Sequence, residues 1–430
     1  MNPMWGLIIL IVLFLIGFPV PYAIAAGSLF IMKYSTGMKW MSISSTMIGG
    51  VNSFTILCIP LFLLAGKLMN ECGITTRLFR AARAIIGWVP GGLGFVNILA
   101  SFIFAGMSGT AVADAAGLGQ IEIKAMEEAG YDREFSAAVT AASSTLGPIV
   151  PPSMPLVVYG MVSGVSVGAL LVAGVLPGVV ISLCMAVLVV FYAINRKYPR
   201  DKFESVGKFF RDLAGGILPA LTPVIIILGI YTGICTPTEA AVICVVYAMF
   251  LGVVVYRALT IKRLWKVLKE TCVEAGPICI LLAVSTLLGA VLIKAQIPQK
   301  LIAGLMTVIH SKWTFLFLLN IAFLIVGMFM ETVSAITILT PIIFPMAQQF
   351  GVNGVHLGIV MVFNLMIGVL SPPFGVVLFA TAKVGKVPMG KLIKALIPWF
   401  LFLLIALAIL TIFPGISTLI PSMMNLGGGA

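Results

Sequence analysis

Two stretches of this sequence, residues 102–164 and 323–385, are copies of each other that align without a gap at an offset of 221 residues. The shared residues fall largely where a helix would be interrupted. They include Gly106 with Gly327, Gly130 with Gly351, Gly147 with Gly368, and Pro151-Pro152 with Pro372-Pro373. Two unrelated apolar helices would match in Leu and Val instead. The chain must therefore fold into two related units that are interrupted at matched positions.

The composition places these units in a membrane. Hydrophobic residues make up 61% of the chain, charged residues only 9%, and the mean hydropathy is +1.17, whereas a soluble domain carries about 25% charged residues. Most of the longer apolar runs are long enough to cross a bilayer, and they lie at 6–32, 168–194, 217–232, 240–256 and 395–413. We predict an all-α polytopic membrane protein. Residues 4–31 are interpreted as one retained crossing, since neither a basic region nor a cleavage site marks a signal peptide.

The net charge of +12 does not indicate nucleic-acid binding. The basic residues flank apolar runs, as expected for cytoplasmic loops. The seven cysteines are scattered and form no CxxC motif, which favours small core residues over a disulfide framework or a metal site.

Each copy is predicted to hold a re-entrant helical hairpin and a broken crossing. In the first copy, 94–107 and 111–129 are the hairpin arms, and 134–164 is a crossing broken at GPIVPPS. In the second copy the hairpin is 314–348 and the broken crossing is 355–382. The opposite order, with the break first and the hairpin second, remains open.

Charge predicts the orientation. With a cytoplasmic N-terminus and re-entering hairpins, all but five of the 26 Lys and Arg fall on the cytoplasmic side. The five outer residues are Lys33, Lys39, Lys294, Lys300 and Lys312. This layout opens the two hairpins toward opposite faces, so the duplication is an inverted repeat whose sites meet near the midplane.

The breaks have a chemistry that suits ions. Gly and Pro free backbone carbonyls, which are hard oxygen ligands, and helix N-termini at the gap carry partial positive charge. Polar side chains cluster there: Ser108, Thr110, Ser143, Ser144, Thr145, Ser153, Thr332, Ser334, Asn364 and Ser371. Asp114 and Glu331 lie near the two hairpin tips and are candidates for offsetting a cation's charge.

Structural roles compete with each of these interpretations. Gly and Pro also produce simple kinks, and hydroxyls also join helices. In a purely structural interpretation, Asp114 and Glu331 would each pair with another side chain. The matching of two breaks favours a binding site. His310 and His356 lie near predicted outer ends and are expected to be interfacial residues, not ligands.

The motifs FAGMSGTAVAD, TLGPIVPPS and HLGIVMVFNLMIGVLSPPFGVVLF resemble the large membrane subunit of tripartite ATP-independent periplasmic (TRAP) transporters of the DctM/SiaM type. The resemblance covers essentially the whole chain. It implies sodium-coupled import of an organic acid across the bacterial inner membrane, with sialic acid favoured and a C4-dicarboxylate next. It also implies a soluble periplasmic binding protein (P), a small four-helix membrane partner (Q) and an elevator-type ion transporter fold.

The resemblance carries over to particular residues. The implied sodium ligands are Gly106, Ser108, Thr110, Ser144, Gly147, Pro148, Gly327, Met328, Thr332, Gly368, Leu370 and Ser371. The implied substrate contacts are Ser108, Ser153, Asn364, Pro151, Pro152, Pro372 and Pro373, with Asp114 and Glu331 as supporting acids. Phe329-Met330 stands where the first hairpin has Ser108-Gly109, which puts symmetric use of side chains in doubt.

An elevator implies a division into domains. Scaffold helices are expected at 1–72, 166–256 and 274–311, amphipathic arm helices at 73–90 and 257–273, transport-domain repeats at 91–165 and 312–385, and a C-terminal helix and tail at 386–430. Two other functions stay open: a standalone sodium/carboxylate carrier, and a rhomboid-like serine protease suggested by the GxSG form of residues 106–109.

Overall fold

The computed structural model describes residues 4–196, 198–200, 205–306, 309, 311–372 and 375–424. Every regular element among these residues is helical, and seven helical stretches are long and apolar enough to cross a membrane. The predicted all-α polytopic membrane fold is confirmed.

The helices of the first half are α1 (Met4–Leu15), α2 (Val20–Ile31), α3 (Met41–Val51), α4 (Cys58–Glu71), α5 (Ile74–Ile86), α6 (Gly92–Ser108), α7 (Ala111–Glu128), α8 (Arg133–Ser143), α9 (Met154–Ser163), α10 (Val167–Ala173) and α11 (Val175–Arg196). Those of the second half are α12 (Val206–Tyr231), α13 (Pro237–Phe250), α14 (Ile261–Lys294), α15 (Ile297–Met306), α16 (Lys312–Phe329), α17 (Thr332–Gln349), α18 (Gly354–Leu370), α19 (Val376–Gly385), α20 (Met389–Ile412) and α21 (Gly415–Met423).

Both copies contain the predicted hairpin followed by the predicted broken helix. Hairpin 1 is α6 with α7, and hairpin 2 is α16 with α17. Break 1, residues 147–153, separates α8 and a short 3₁₀ turn (Ser144–Leu146) from α9. Break 2 lies between Leu370, where α18 ends, and Val376, where α19 begins, and the structure describes Ser371, Pro372 and Gly375 of it. The hairpin comes first in each copy, which settles the order that the sequence left open.

The duplication extends well beyond the two stretches with visible sequence similarity. Adding 221 to the bounds of α7 gives 332–349, which are the bounds of α17. The same offset maps α3 onto the first part of α14, α4 onto its last part, and α5 onto α15. Nearly the whole chain is therefore two repeats, although only the interrupted segments kept recognisable sequence.

The two copies interlock through their broken helices. Arm α7 of hairpin 1 packs against α19, which follows break 2, and arm α17 of hairpin 2 packs against α9, which follows break 1. Each hairpin also packs against the helix that precedes its own break, α6 on α8 and α16 on α18. This reciprocal exchange of partners is what a pseudo-two-fold axis between inverted repeats produces.

The predicted single crossing at 4–31 is wrong. The chain reverses at Gly17, where φ is +89°, and α1 packs antiparallel on α2. A Cβ atom at Gly27 would lie 2.8 Å from the carbonyl oxygen of Gly6, so two glycines permit the close approach. Each helix has 12 residues, about 18 Å, which is too short for a core of about 30 Å. The first turn of α1 lies at the same end as Ile31, so the charge count no longer supports a cytoplasmic N-terminus.

The basic amphipathic segment 257–270 and the span 276–293 join in one helix. α14 has 34 residues and continues through Pro277. The other amphipathic segment forms α5, whose buried Leu78 and Phe79 oppose the exposed Arg80 and Arg83. By the repeat offset, the first part of α14 corresponds to α3, not to α5. The two predicted arms are therefore not equivalent positions of the repeat.

Candidate functional site

Hairpin 1 turns tightly against break 1. Gly109 ends α6 with φ +62°, a conformation that glycine adopts without strain. Thr110 then caps α7, since its hydroxyl accepts a hydrogen bond from Ala113 N at 3.4 Å. A Cβ atom at Gly147, in the break, would lie 3.1 Å from the carbonyl oxygen of Thr110. Tip and break thus meet backbone to backbone.

Carbonyl oxygens of break 1 face this tip. The oxygen of Pro152 would lie 2.7 Å from a Cβ atom at Gly109, and that of Pro151 would lie 3.3 Å from one at Gly106. Ser153 supports the break, because its hydroxyl donates to Pro148 O and accepts from Leu156 N at 3.2 Å to cap α9. The break presents oxygen atoms to the hairpin while a buried hydroxyl holds its shape.

Hairpin 2 packs closely on α18 just before break 2. A Cβ atom at Gly368 would lie 2.5 Å from the Cα of Gly327, so no side chain fits between these two helices. Within the break, the carbonyl oxygens of Val369 and Ser371 would lie 2.7 and 2.8 Å from a Cβ atom at Gly375. The second copy therefore combines a glycine contact between hairpin and broken helix with closely spaced carbonyl oxygens inside its break.

The capping residues of the two tips are equivalent, but the two predicted acids are not. The repeat offset maps Thr110 onto Glu331, and Glu331 caps α17 by accepting from Ser334 N at 3.1 Å. Asp114 lies one turn further along α7, where the second copy has Ala335. Glu331 is exposed at its tip, whereas Asp114 is buried.

Hydroxyls beside the breaks keep lone pairs available. Ser144 donates to Ala141 O at 2.8 Å, and Ser371 donates to Ile367 O at 2.8 Å. A hydroxyl that donates to its own helix still offers its oxygen to a cation. The buried Thr332 hydroxyl has no hydrogen-bond partner among the described residues. Together with the carbonyls, these groups form an oxygen-only donor set that suits a hard cation such as sodium.

Asn364 joins helices within the second copy. Its side-chain nitrogen donates to the backbone oxygen of Asn320 at 3.0 Å and to Oδ1 at 2.7 Å. The equivalent Ser143 donates to Asn97 Oδ1 at 2.7 Å in the first copy. In both copies this position ties the first hairpin arm to the helix before the break. The side-chain oxygen of Asn364 is buried without a partner within the described chain.

Helix termini complete the site. α7 and α9 begin beside tip 1 and break 1, as α17 and α19 begin beside tip 2 and break 2. The 3₁₀ turn before break 1 contacts α18, which leads to break 2, so the two halves adjoin. Helix N-termini attract anions, while carbonyl ends attract cations. The arrangement has groups for both.

The structure describes some of the remaining predicted residues but not all of them. Pro148 and Leu370 are buried, while Met328 and Pro372 are half-buried beside the second tip and break. Pro373, His310 and the side chain of Ser108 lie outside the described residues. A cavity of about 670 Å³ lies elsewhere, between the ends of α7 and α19, and its lining residues include none of the predicted ones.

Two findings differ from the sequence interpretation. His356, expected at an interface, is buried in the first turn of α18, with Nδ1 2.8 Å from the hydroxyl of Ser417. Glu122, which sequence reasoning missed, is fully buried on α7 on the same side as Asp114. Its eight-residue spacing from Asp114, two helical turns, is a signal that the sequence already held.

Comparison with known proteins finds relatives along almost the whole chain. The family described as "Tripartite ATP-independent periplasmic transporter, DctM component" matches residues 7–416. A relative from Vibrio cholerae, "Sialic acid TRAP transporter large permease protein SiaM", is 40% identical over 409 residues, 95% of each chain. A relative from Pseudomonas aeruginosa, "C4-dicarboxylate TRAP transporter large permease protein DctM", is 38% identical over 87% of each chain.

A solved structure supports the fold. The Alcanivorax borkumensis YdaH transporter has a TM-score of 0.61 and 15% identity, covering 87% of this chain and 88% of that one. At this identity the likeness concerns the fold alone. The sequence relatives are transporter permeases, not enzymes, so the protease hypothesis for residues 106–109 is wrong.

Proposed function

The chain belongs to the DctM-component family of the tripartite ATP-independent periplasmic transporters, as a multi-pass protein of the bacterial inner membrane, and from this premise we propose that it imports an organic acid together with sodium ions. Sialic acid is the favoured substrate and a C4-dicarboxylate the next, because relatives named for each are 40% and 38% identical to this chain.

One observation carries the proposal: the tip of hairpin 1 lies directly against break 1, whose carbonyl oxygens face it, and hairpin 2 packs on α18 just before break 2. Pro151 and Pro152 supply the facing oxygens in the first copy, and Val369 and Ser371 place carbonyl oxygens close together at break 2 in the second. Backbone carbonyls replace the hydration shell of a monovalent cation at short range. Sodium would bind at the two tips, held by these carbonyls and by hydroxyls such as that of Thr332.

The same geometry provides for the substrate's carboxylate. Helices α7 and α9 begin beside the first tip and break, and α17 and α19 begin beside the second pair. The dipoles of these helices favour an anion at their N-termini, between the two halves. Sodium bound at the tips would draw each tip onto its break, and this closure would complete the pocket. Coupling follows because the pocket forms poorly without sodium.

Transport is proposed to follow an elevator mechanism in which the two hairpins and two breaks move as one unit. Their interlocking through α7 with α19 and α17 with α9 supports such a unit. Hairpin 1 abuts the rest of the protein where Gly106 packs on Pro223 of α12, a contact that would slide. A periplasmic binding protein would deliver the substrate, and a small four-helix membrane subunit would hold the static part.

The test is uptake of labelled sialic acid into proteoliposomes under an inward sodium gradient, with each partner protein present or omitted. Uptake that needs sodium, the binding protein and the small subunit is the expected result. Uptake by this chain alone would refute the tripartite proposal and favour a standalone carrier. Uptake of a C4-dicarboxylate but not of sialic acid would refute the substrate assignment while keeping the mechanism.

A further inference from the structure

Two buried carboxylates lie on one side of α7. The side chains of Asp114 and Glu122 are 1% and 0% exposed, and neither has a hydrogen-bond partner within the described chain. They are eight residues apart, which is about 12 Å along the helix axis. Asp114 is one turn from the hairpin tip, whereas Glu122 lies deep in the hairpin, away from both breaks. Glu122 therefore needs an explanation of its own.

The polar groups around Glu122 have already used their hydrogens. Thr140 of α8 lies beside Glu122, but its hydroxyl donates to Ser136 O at 2.9 Å. The side-chain nitrogen of Asn97 on α6 donates to the oxygen of Thr140 at 2.7 Å and to Sδ of Met126 at 3.9 Å. Nearer the tip, Ser101 lies beside Asp114 but donates to Ser143 at 3.0 Å. These groups offer Glu122 acceptors and no free donor.

Charged side chains on the surrounding elements do not neutralise it. Lys124 pairs with Glu128 at 3.8 Å on α7, and Arg133 of α8 pairs with Glu127. The elements packed against α7 carry further charged groups. They are the exposed arginines of α5 (Arg77, Arg80 and Arg83), the exposed Glu134 of α8, which pairs with Lys391, and Lys383 and Lys386, which line the cavity at the end of α19. Within the described chain, no Lys or Arg forms an ion pair with Glu122, and nearby Asp114 would repel its charge.

An ionised carboxylate in such a place is strongly disfavoured, because burial removes its hydration and nothing replaces it. A hard metal cation would need a cage of several oxygens, whereas Thr140 places one hydroxyl oxygen beside Glu122. A proton needs only the carboxylate and one acceptor. The resulting O–H can donate to a neighbouring oxygen, which suits a group surrounded by acceptors.

We propose that Glu122 is a proton-binding site of hairpin 1: it holds one proton at neutral pH, and the neutral carboxyl keeps α7 packed against α6 and α8. The site is separate from the sodium and carboxylate groups at the breaks. It does not depend on the transport proposal, because the argument rests on packing alone.

The test is infrared difference spectroscopy of the purified full-length protein between about pH 5 and about pH 9. This range lies above the ordinary pKa values of carboxyl groups. The expected result is a protonated-carboxyl C=O band at neutral pH that is missing in Glu122→Gln. Glu128→Gln is the matched control, since Glu128 is an exposed carboxylate on the same helix, and it should leave the band unchanged. Glu122→Asp should shift the band without removing it.

Two outcomes would overturn the proposal. One is a wild-type spectrum at neutral pH without any band that responds to Glu122→Gln. The other is a band that disappears when sodium is added at constant pH, which would mean that a metal cation takes the place of the proton.

A second readout is the melting temperature. The melting temperature of the wild type should fall as pH rises, because the unfolded chain releases this proton. Glu122→Gln should make the melting temperature depend less on pH. Equal slopes would count against the proposal.

Discussion

Gly368→Ala tests whether the close approach of hairpin 2 to α18, just before break 2, is needed for the site. The new Cβ atom would lie 2.5 Å from the Cα of Gly327 and 2.6 Å from its carbonyl carbon. Carbon atoms in contact are about 3.5–4.0 Å apart, so the two backbones must separate by about 1 Å. Overpacking of this kind costs about 1–3 kcal/mol. That is a factor of about 5 to about 150 in the population of molecules whose hairpin 2 is packed on α18.

The assay is the melting temperature of the purified protein as a function of sodium concentration. Gly368→Ala should melt below the wild type without sodium and should need about 5 to about 150 times more sodium for half of the stabilisation. Gly390→Ala is the matched control, because a Cβ atom there meets nothing within 4 Å. If Gly368→Ala and Gly390→Ala melt alike and respond alike to sodium, the close contact does not exist and the reasoning fails.

Three further predictions concern other parts of the same unit. Thr110→Ala removes the cap of α7 and should cost about 1 kcal/mol in denaturant unfolding; no loss relative to an exposed Thr232→Ala control would contradict the capping role. Asn97→Leu leaves Thr140 without its donor and should cost about 1–3 kcal/mol, measured as a lower melting temperature; an unchanged value would show that this network is not stabilising. The pKa of Glu134 is lowered by its backbone N–H at the start of α8 and by Lys391, which lies 3.4 Å away. Ionised Glu134 therefore adds a little to the free energy of unfolding, below about 1 kcal/mol for an exposed pair. This stabilisation is present above the ordinary pKa of 4.5 and is lost as pH falls through the lowered value. Lys391→Met should weaken that acid-side loss in a pH titration of stability, and an unaltered acid limb would refute it.

The sequence was sufficient to predict both hairpins and both breaks, although it left open which of the two comes first in each copy. The reason is local. Proline lacks an N–H group and glycine lacks a Cβ atom, so each interrupts a helix wherever it lies. The match between α7 and α17 at the repeat offset follows from these same residues, since they set where each arm ends.

The sequence was misleading where distant packing decides. The apolar run at 4–31 has the length of one crossing, but the reversal at Gly17 and the contact of Gly6 with Gly27 make it a hairpin of two short helices. The N-terminal orientation that depended on this crossing lost its support for the same reason.

The site shows the same division. Composition and motif identified the oxygen-rich tips, because carbonyl exposure follows from the break itself. They did not identify Glu122, because a carboxylate in a helix becomes costly only when α6 and α8 close over it and leave it no donor. The sequence by itself thus determined where the helices stop and that the chain is a duplicated membrane transporter. Only the tertiary structure decided which helix ends meet and which charged groups are buried, since burial and close approach depend on residues that are far apart in the chain.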